Sequence, residues 1–504
     1  MKKKLLISSV ISCLLWLFLL PQASFAQEAR EYAGNGFSFS LPTAYRLTET
    51  NLEGNLLVFA SPYSTLKVYT QELGPRLSFH TYIDYGNYQL KLGKAGFEVI
   101  SASSGSVNGN PVRRISFSRP VLTNLPNDKN FYLEAHVWLK QKNLAVTFWA
   151  KSEQAFFGNL NADMEQIVQT VSAQAVQTPA FIPPVTLPQD SPHIKYEGRQ
   201  TTLDLPPGQL LWGRFYPGVP FYANSYVKML ESEAQLAHKF EFLMTYCTFP
   251  SDEPYPAAAV RKVYQDGRVL MLTLQPFTKA LDWIAVPEFI EGRHDEKLKE
   301  WAKGLKELDE PVFVRPLNEM NGDWDPWCAW FFGKDTDLYI EAWRHIVDIF
   351  KEAGAANVYF VWNPHDRSFP DFTWNNPHLY YPGDDYVDWV GLTGYNNGTS
   401  HPADIWREFD EIYRPLYDEY LSRYPAKPFM ITEFSCNEVG GDKAKWIERA
   451  FISLAQQNYP QIKIINWFDA QDNAWLYQID STPEAFSAFK NGLYRHKSQE
   501  SLNN

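Results

Sequence analysis

Residues 311–322 read PVFVRPLNEMNG, and this stretch decides the fold. A short apolar run, Val312 to Val314, passes directly into Arg315, Asn318, Glu319 and Asn321. Runs of about four to eight apolar residues bounded by polar ends suit parallel strands buried on both faces. Three similar runs precede it, GQLLWGRF, FEFLMTYC and RVLMLTL. Four follow it, ANVYFVWN, YVDWVGLTGY, KPFMITEF and IKIINWF. Eight strands separated by amphipathic stretches over about 290 residues predict a (β/α)8 TIM barrel. A doubly wound open sheet is the alternative, but no glycine-rich phosphate turn follows the first run.

In a barrel of this kind, polar residues at the C-terminal strand ends face the active site. The fourth run ends in Glu319, and the seventh, in Ile431-Thr432-Glu433-Phe434-Ser435, ends in Glu433. Strands four and seven stand opposite each other across the barrel mouth. Two carboxylates flanking a glycosidic bond can divide the work of hydrolysis, one protonating the leaving oxygen and one attacking the anomeric carbon. A separation of about 5–5.5 Å would mean retention, and about 6.5–9.5 Å inversion. Retention is the expectation, with Glu319 as acid/base and Glu433 as nucleophile. Those roles require Glu319 to begin protonated and Glu433 ionised. Arg315 and Tyr395 are the expected donors to Glu433, and burial beside aromatic rings is the expected means of keeping the proton on Glu319. Asn318 and Arg315 also fit a purely structural role within the barrel mouth.

Aromatic residues make up 16% of the chain, and tryptophans crowd its second half. Trp324 and Trp327 lie in the loop-like NGDWDPW, and Trp467 ends the eighth run. With Tyr395, they are expected to bind sugar, core packing being the competing reading.

The ends of the chain carry other signals. Lys2, Lys3 and Lys4 precede the apolar run LLISSVISCLLWLFLL, and Ser24-Phe25-Ala26 supplies small residues for cleavage. This predicts a signal peptide over residues 1–26, cut after Ala26, and a secreted or surface-associated protein with no membrane span after cleavage. Lipidation at Cys13 ranks second. Cleavage removes three lysines and no acids, moving the formal charge from −12 to −15, which argues against a nucleic-acid partner. Three cysteines remain, Cys247, Cys328 and Cys436, matching no zinc spacing. Cys328 with Cys436 is a candidate disulfide, since each follows one of the two glutamates.

Five prolines between residues 176 and 200 mark a semi-rigid linker. Residues 27–175 before it alternate as strands with helices at 79–95 and 154–173, which predicts a smaller α+β domain on an antiparallel sheet. The barrel is assigned residues 201–495 and a polar tail 496–504. The early FSFSLP, the strand order and the closing helix of residues 31–175 resemble photosystem-P-like domains. No cluster of ionisable groups stands out there, so it is read as a packing or docking module without assigned chemistry or partner.

Over residues 205–493 the phrases RPLNEMNGDWDPW, EAWRHIVDIFKEAGAANVYFVWNPH, YYPGDDYVDWVGLTGYN, KPFMITEFSCNEVGGDKAKWI and INWFD resemble glycoside hydrolase family 26. That family includes β-mannanases, mixed-linkage glucanases and β-1,3-xylanases. The resemblance implies a (β/α)8 fold, retention, Glu319 as acid/base, Glu433 as nucleophile, Tyr395 as its partner and Trp467 in the subsite of the reacting sugar. It implies no metal or organic cofactor. Two positions depart from the family. Asn318 stands where a histidine usually precedes the acid/base, and Gln275 and Phe277 in TLQPF replace an acidic residue and a tryptophan. The expectation is a secreted endo-β-glycanase on an extracellular polysaccharide, β-1,4-mannan first and β-glucan or β-xylan next. The alternatives are a non-catalytic polysaccharide-binding protein and a transglycosylase acting on exopolysaccharide.

Overall fold

A computed structural model of the 504-residue chain describes residues 29–51, 54–93, 96–174, 210–249, 253–277, 285–456 and 458–503. The expected signal peptide, Cys13 and the proline-rich linker lie outside the described residues.

The first unit is built on antiparallel strands. A small sheet joins β1 (Ala29–Gly34), β2 (Phe37–Pro42) and β10 (Ser172–Ala173). The main sheet comprises β3 (Arg46–Asn51), β4 (Leu56–Ala60), β5 (Ser64–Glu72), β6 (Glu98–Val107), β7 (Asn110–Ser118), β8 (Phe131–Leu139) and β9 (Leu144–Ser152), in the order β3-β4-β5-β9-β8-β7-β6. The central strand β9 shows why it is wholly buried. Val146, Phe148 and Ala150 pack with the helix Phe157–Gln169 on one face, while Ala145 and Trp149 join a core that continues into the second unit on the other. Alternation on a pleated strand thus serves two cores at once.

The second unit is a closed barrel of eight parallel strands in sequential order: β11 (Leu211–Phe215), β12 (Phe242–Thr248), β13 (Val269–Gln275), β14 (Val312–Pro316), β15 (Val358–Trp362), β16 (Trp389–Asn396), β17 (Phe429–Cys436) and β18 (Ile462–Phe468). Its interior is filled by Phe242, Met244, Met271, Phe313, Tyr359, Trp389, Met430 and Ile464, one set of alternating positions around the ring. It is therefore a packed core rather than a pore, and its chemistry belongs to the strand ends. A short hairpin, β19 (Gln471–Asp472) with β20 (Trp475–Leu476), follows β18. The closing helix Pro483–Asn503 runs through most of the residues expected to form a polar tail. Among the described residues, no helix is long and apolar enough to cross a membrane.

The candidate Cys328–Cys436 disulfide is not formed: both are free and buried, as is Cys247. Each sulfur already has its own hydrogen bond, Cys328 Sγ to the Glu319 carbonyl at 3.6 Å and Asn396 Nδ2 to Cys436 Sγ at 3.3 Å. Following a glutamate in sequence had suggested proximity, but the two follow strands on opposite sides of the ring.

Candidate active site

Glu433 sits on a distorted strand. β16 and β17 lose register between Leu392 and Thr393, and β17 and β18 lose it between Ile431 and Phe434, so one extra residue is accommodated at Thr432–Glu433. Such a bulge re-aims side chains locally. Thr432 then hydrogen-bonds Thr393 (2.7 Å), and Glu433 points into the mouth.

Its carboxylate is 3% exposed and held by two donors. Arg315 Nη2 donates to Oε1 at 2.5 Å, and the Tyr395 hydroxyl donates to Oε2. Arg315, fully buried inside β14, is fixed in turn: Nε donates to Thr273 Oγ1 (2.9 Å) and Nη1 to Asn363 Oδ1 (2.8 Å). Its guanidinium lies over the Tyr246 ring, 5.6 Å from the centroid. Burial and the Glu433 carboxylate hold the Tyr246 and Tyr395 phenols well above their ordinary range, so both remain donors.

Glu319 follows β14 on a left-handed turn, with φ +50° at Leu317 and +55° at Glu319. Side chains of these types rarely adopt such angles, and each costs on the order of 1–3 kcal/mol and persists only where surroundings enforce it. Here they do. Trp327 Nε1 donates to the Asn318 carbonyl (2.6 Å), the Tyr339 hydroxyl to the Leu317 carbonyl (3.1 Å), and Glu319 N to the Asn363 carbonyl (2.7 Å). The carboxyl, partly exposed at the cleft floor, is pushed well above the usual carboxylate range, first by burial, then by the charges of Glu433 and Asp325, with Arg315 opposing. One glutamate is thus arranged to keep a proton while the other is held by donors, the division that acid and nucleophile need.

The remaining expected residues are placed unequally. Asn318 is buried, and its Oδ1 accepts from Gln275 Nε2 at 3.3 Å. Trp324 is 39% exposed on the rim, against His365 and Phe369. Trp327 is wholly buried against Phe277 and supports the glutamate turn rather than offering a face to sugar. Trp467 is a correction too. At 1% exposure it packs outward against Phe434, Trp446 and Phe489, its Nε1 donating to the Tyr477 carbonyl at 2.9 Å. The ring that faces the mouth from β18 is Phe468, stacked on Phe215 at 4.7 Å and edge-on to Tyr395 at 5.8 Å. The reason is strand parity: Ile464 is interior, so 466 and 468 are, and 467 is not.

Sequence reasoning missed Tyr246, Asn363, Phe468 and two further acids. Parity with Phe242 and Met244 would have found Tyr246. Asp325, 6% exposed, is pushed up to about 8 by burial and the Glu433 charge. Asp472 in the β19–β20 hairpin is raised for the same two reasons. Among the described residues, no group of histidines, cysteines and acids has metal-site geometry.

This fold and this pair of carboxylates define a glycosidase-like barrel. Residues 287–428 match the model of Glycosyl hydrolase family 26. The comparisons thus support a glycoside hydrolase family 26 domain in the barrel. Over 259 residues the chain is 32% identical to "Endoglucanase H" of Acetivibrio thermocellus, covering 51% of this chain and 27% of that protein. Over 197 residues it is 32% identical to a "Mannan endo-1,4-beta-mannosidase" of Bacillus subtilis, covering 37% and 48% respectively. A "Beta-1,3-xylanase TXYA" of a Vibrio species is 29% identical over 152 residues, covering 30% and 29%. The chain thus spans about a quarter to a half of the length of these curated relatives. Among solved structures, a Bacillus subtilis mannanase is 19% identical with a TM-score of 0.39, covering 56% of this chain and 85% of that one. A GH26 beta-mannanase from Bacteroides ovatus is 15% identical with a TM-score of 0.41, covering 57% and 88%.

Proposed function

We propose that the protein is a retaining endo-β-glycanase. The observation that carries the reading is the asymmetry of the two glutamates: Glu433 held by Arg315 and Tyr395, and Glu319 kept protonated by burial and like charge. Glu433 attacks the anomeric carbon while Glu319 gives its proton to the departing oxygen, forming a covalent glycosyl-enzyme and freeing the leaving chain. Glu319, now ionised, takes a proton from water, which displaces Glu433 from the anomeric carbon and restores both groups. Asn318 offers its amide to the hydroxyl next to the anomeric carbon, and Phe468 packs beneath that sugar.

The substrate is a β-linked polysaccharide. β-1,4-Mannan is the leading choice, supported by the mannosidases among the relatives; β-glucan and β-xylan follow, since an endoglucanase and β-1,3-xylanases stand beside them. Release of reducing sugar from mannan, glucomannan, barley β-glucan and β-1,3-xylan ranks these choices. Glu433→Gln should remove activity on whichever is cut. Glu319→Ala should lose about 10²- to 10⁴-fold on natural substrate, yet retain glycosyl-enzyme formation with an aryl glycoside whose leaving group needs no proton. Unchanged sugar release by Glu433→Gln would overturn the assignment. We further propose export through the Lys2–Ala26 segment, tested by N-terminal sequencing of the mature protein.

A further inference from the structure

The first unit grips the loop that bears Glu319. Trp330 Nε1 donates to the Tyr85 carbonyl (2.8 Å), Lys334 Nζ to Asn87 Oδ1 (2.7 Å), and the Tyr85 hydroxyl to Asp323 Oδ2. Asp323 is four positions beyond Glu319, and its neighbour Trp324 borders the mouth against His365 and Phe369. The helix Phe79–Gly86 and the turn after it therefore stand beside the acid/base side of the cleft, from which the leaving chain departs.

Three large rings on this face are exposed: Trp324 at 39%, Tyr85 at 38% and Tyr88 at 51%. Scattered surface aromatics are common and call for no explanation. These are not scattered. Tyr85 and Tyr88 both stack on the buried Trp330, each at 15° and with centroid distances of 5.1 and 6.0 Å, so one buried ring anchors both. The Tyr85 hydroxyl is also pinned by Asp323. Exposed rings anchored on a buried one, with a carboxylate beside them, suit a pyranose, which has an apolar C–H face and a rim of hydroxyl donors.

We propose that Tyr85 and Tyr88 form a sugar-binding platform which continues the cleft beyond Trp324, so that the leaving portion of the polysaccharide rests on the accessory unit. The platform takes neutral β-linked pyranose chains, and it rests on the glycanase reading of the barrel.

The test compares wild type, Tyr88→Ala, Tyr85→Ala/Tyr88→Ala and Tyr85→Phe on an oligosaccharide ladder and the polymer they are cut from. The double variant should lose about tenfold in kcat/KM on polymer and long oligosaccharides, carried mainly by KM, and change little on the shortest cleavable ones. Tyr88→Ala, whose ring is the most exposed, should show the same length dependence in smaller measure with an unchanged Tm. Tyr85→Phe, which keeps the stacking ring, should stay within about threefold of wild type on polymer. Equal loss at every length, or no loss on polymer by the double variant, overturns the platform. Affinity electrophoresis in the same polysaccharides separates this from the glycanase reading. If wild type cuts nothing, the glycanase reading fails; polymer retention lost in the double variant then still supports the platform, and retention unchanged or absent in wild type overturns it.

Discussion

Asp325 and Glu319 share one predicament, a carboxyl placed in poor solvent beside the charge of Glu433. For Glu319 the consequence is a kcat/KM profile whose alkaline limb lies well above the usual carboxylate range, because activity persists until that proton is lost. For Asp325 the consequence is stability. Its folded-state pKa of about 8 exceeds the ordinary 3.8, so the folded protein binds more protons between those values. Stability should therefore be fullest below about pH 4 as far as this group is concerned, and fall as pH rises toward about 8. Asp325→Asn should flatten that slope, measured as the difference in denaturant midpoint between pH 5 and pH 8. An equal slope in the variant would refute the assignment. At this scale, the sequence made Glu319, Glu433, Arg315 and Tyr395 legible because a barrel strand displays its polar end to the mouth. Asp325 was not legible: an acid in a loop has no periodicity to say whether it is solvated or enclosed.

Strands were readable wherever both faces were buried and unreadable where neither was. All eight barrel strands announced themselves as apolar runs, whereas β6, EVISASSGSV, did not, because it is an exposed edge strand paired only with β7. Parity within a strand was the other loss, since a one-residue error turns a side chain to the opposite face. That is how Trp467 was exchanged for Phe468. The bulge of β17 is likewise silent in sequence, yet it aims Glu433. The packing beside it is tight: a Cβ on Gly391 of β16 would come within 2.7 Å of Thr432 Cγ2 and 2.8 Å of Asn363 Cβ. Gly391→Ala should therefore cost about 1–3 kcal/mol of stability and lower kcat by displacing the Asn363–Arg315 support, as read from unfolding curves and steady-state kinetics. Loss of stability with kcat intact would place the strain outside the nucleophile's support.

The two units of the molecule share more than a linker. Their apolar core is continuous, and buried cations cross between them: Lys151 reaches Asp335 and Asp337 (both 2.8 Å), Lys67 reaches Asp337 (2.6 Å), and Lys334 reaches Glu134 (2.7 Å). Removing one partner of a buried pair strands the other, at about 3–5 kcal/mol. Lys151→Met should therefore lower the Tm of the whole molecule and turn a single calorimetric transition into two. One sharp transition at the wild-type Tm would show that the Lys151 pairs do not couple the two units. None of this was visible in the sequence, because a lysine on a strand reads as a solvent-facing residue until a second unit covers it.

The unpaired cysteines carry a kinetic consequence. Cys247, its thiol pushed up to about 12 by burial, lies on β12, Cys328 on the turn beyond Glu319, and Cys436 at the end of β17. A disulfide reagent finds neither an accessible sulfur nor a thiolate while the barrel is closed, so labelling waits on opening of the backbone. With Cys13 replaced by serine, the rates at which the three sites react time the opening of three separate arcs of the ring, an internal clock for the order in which the barrel comes apart.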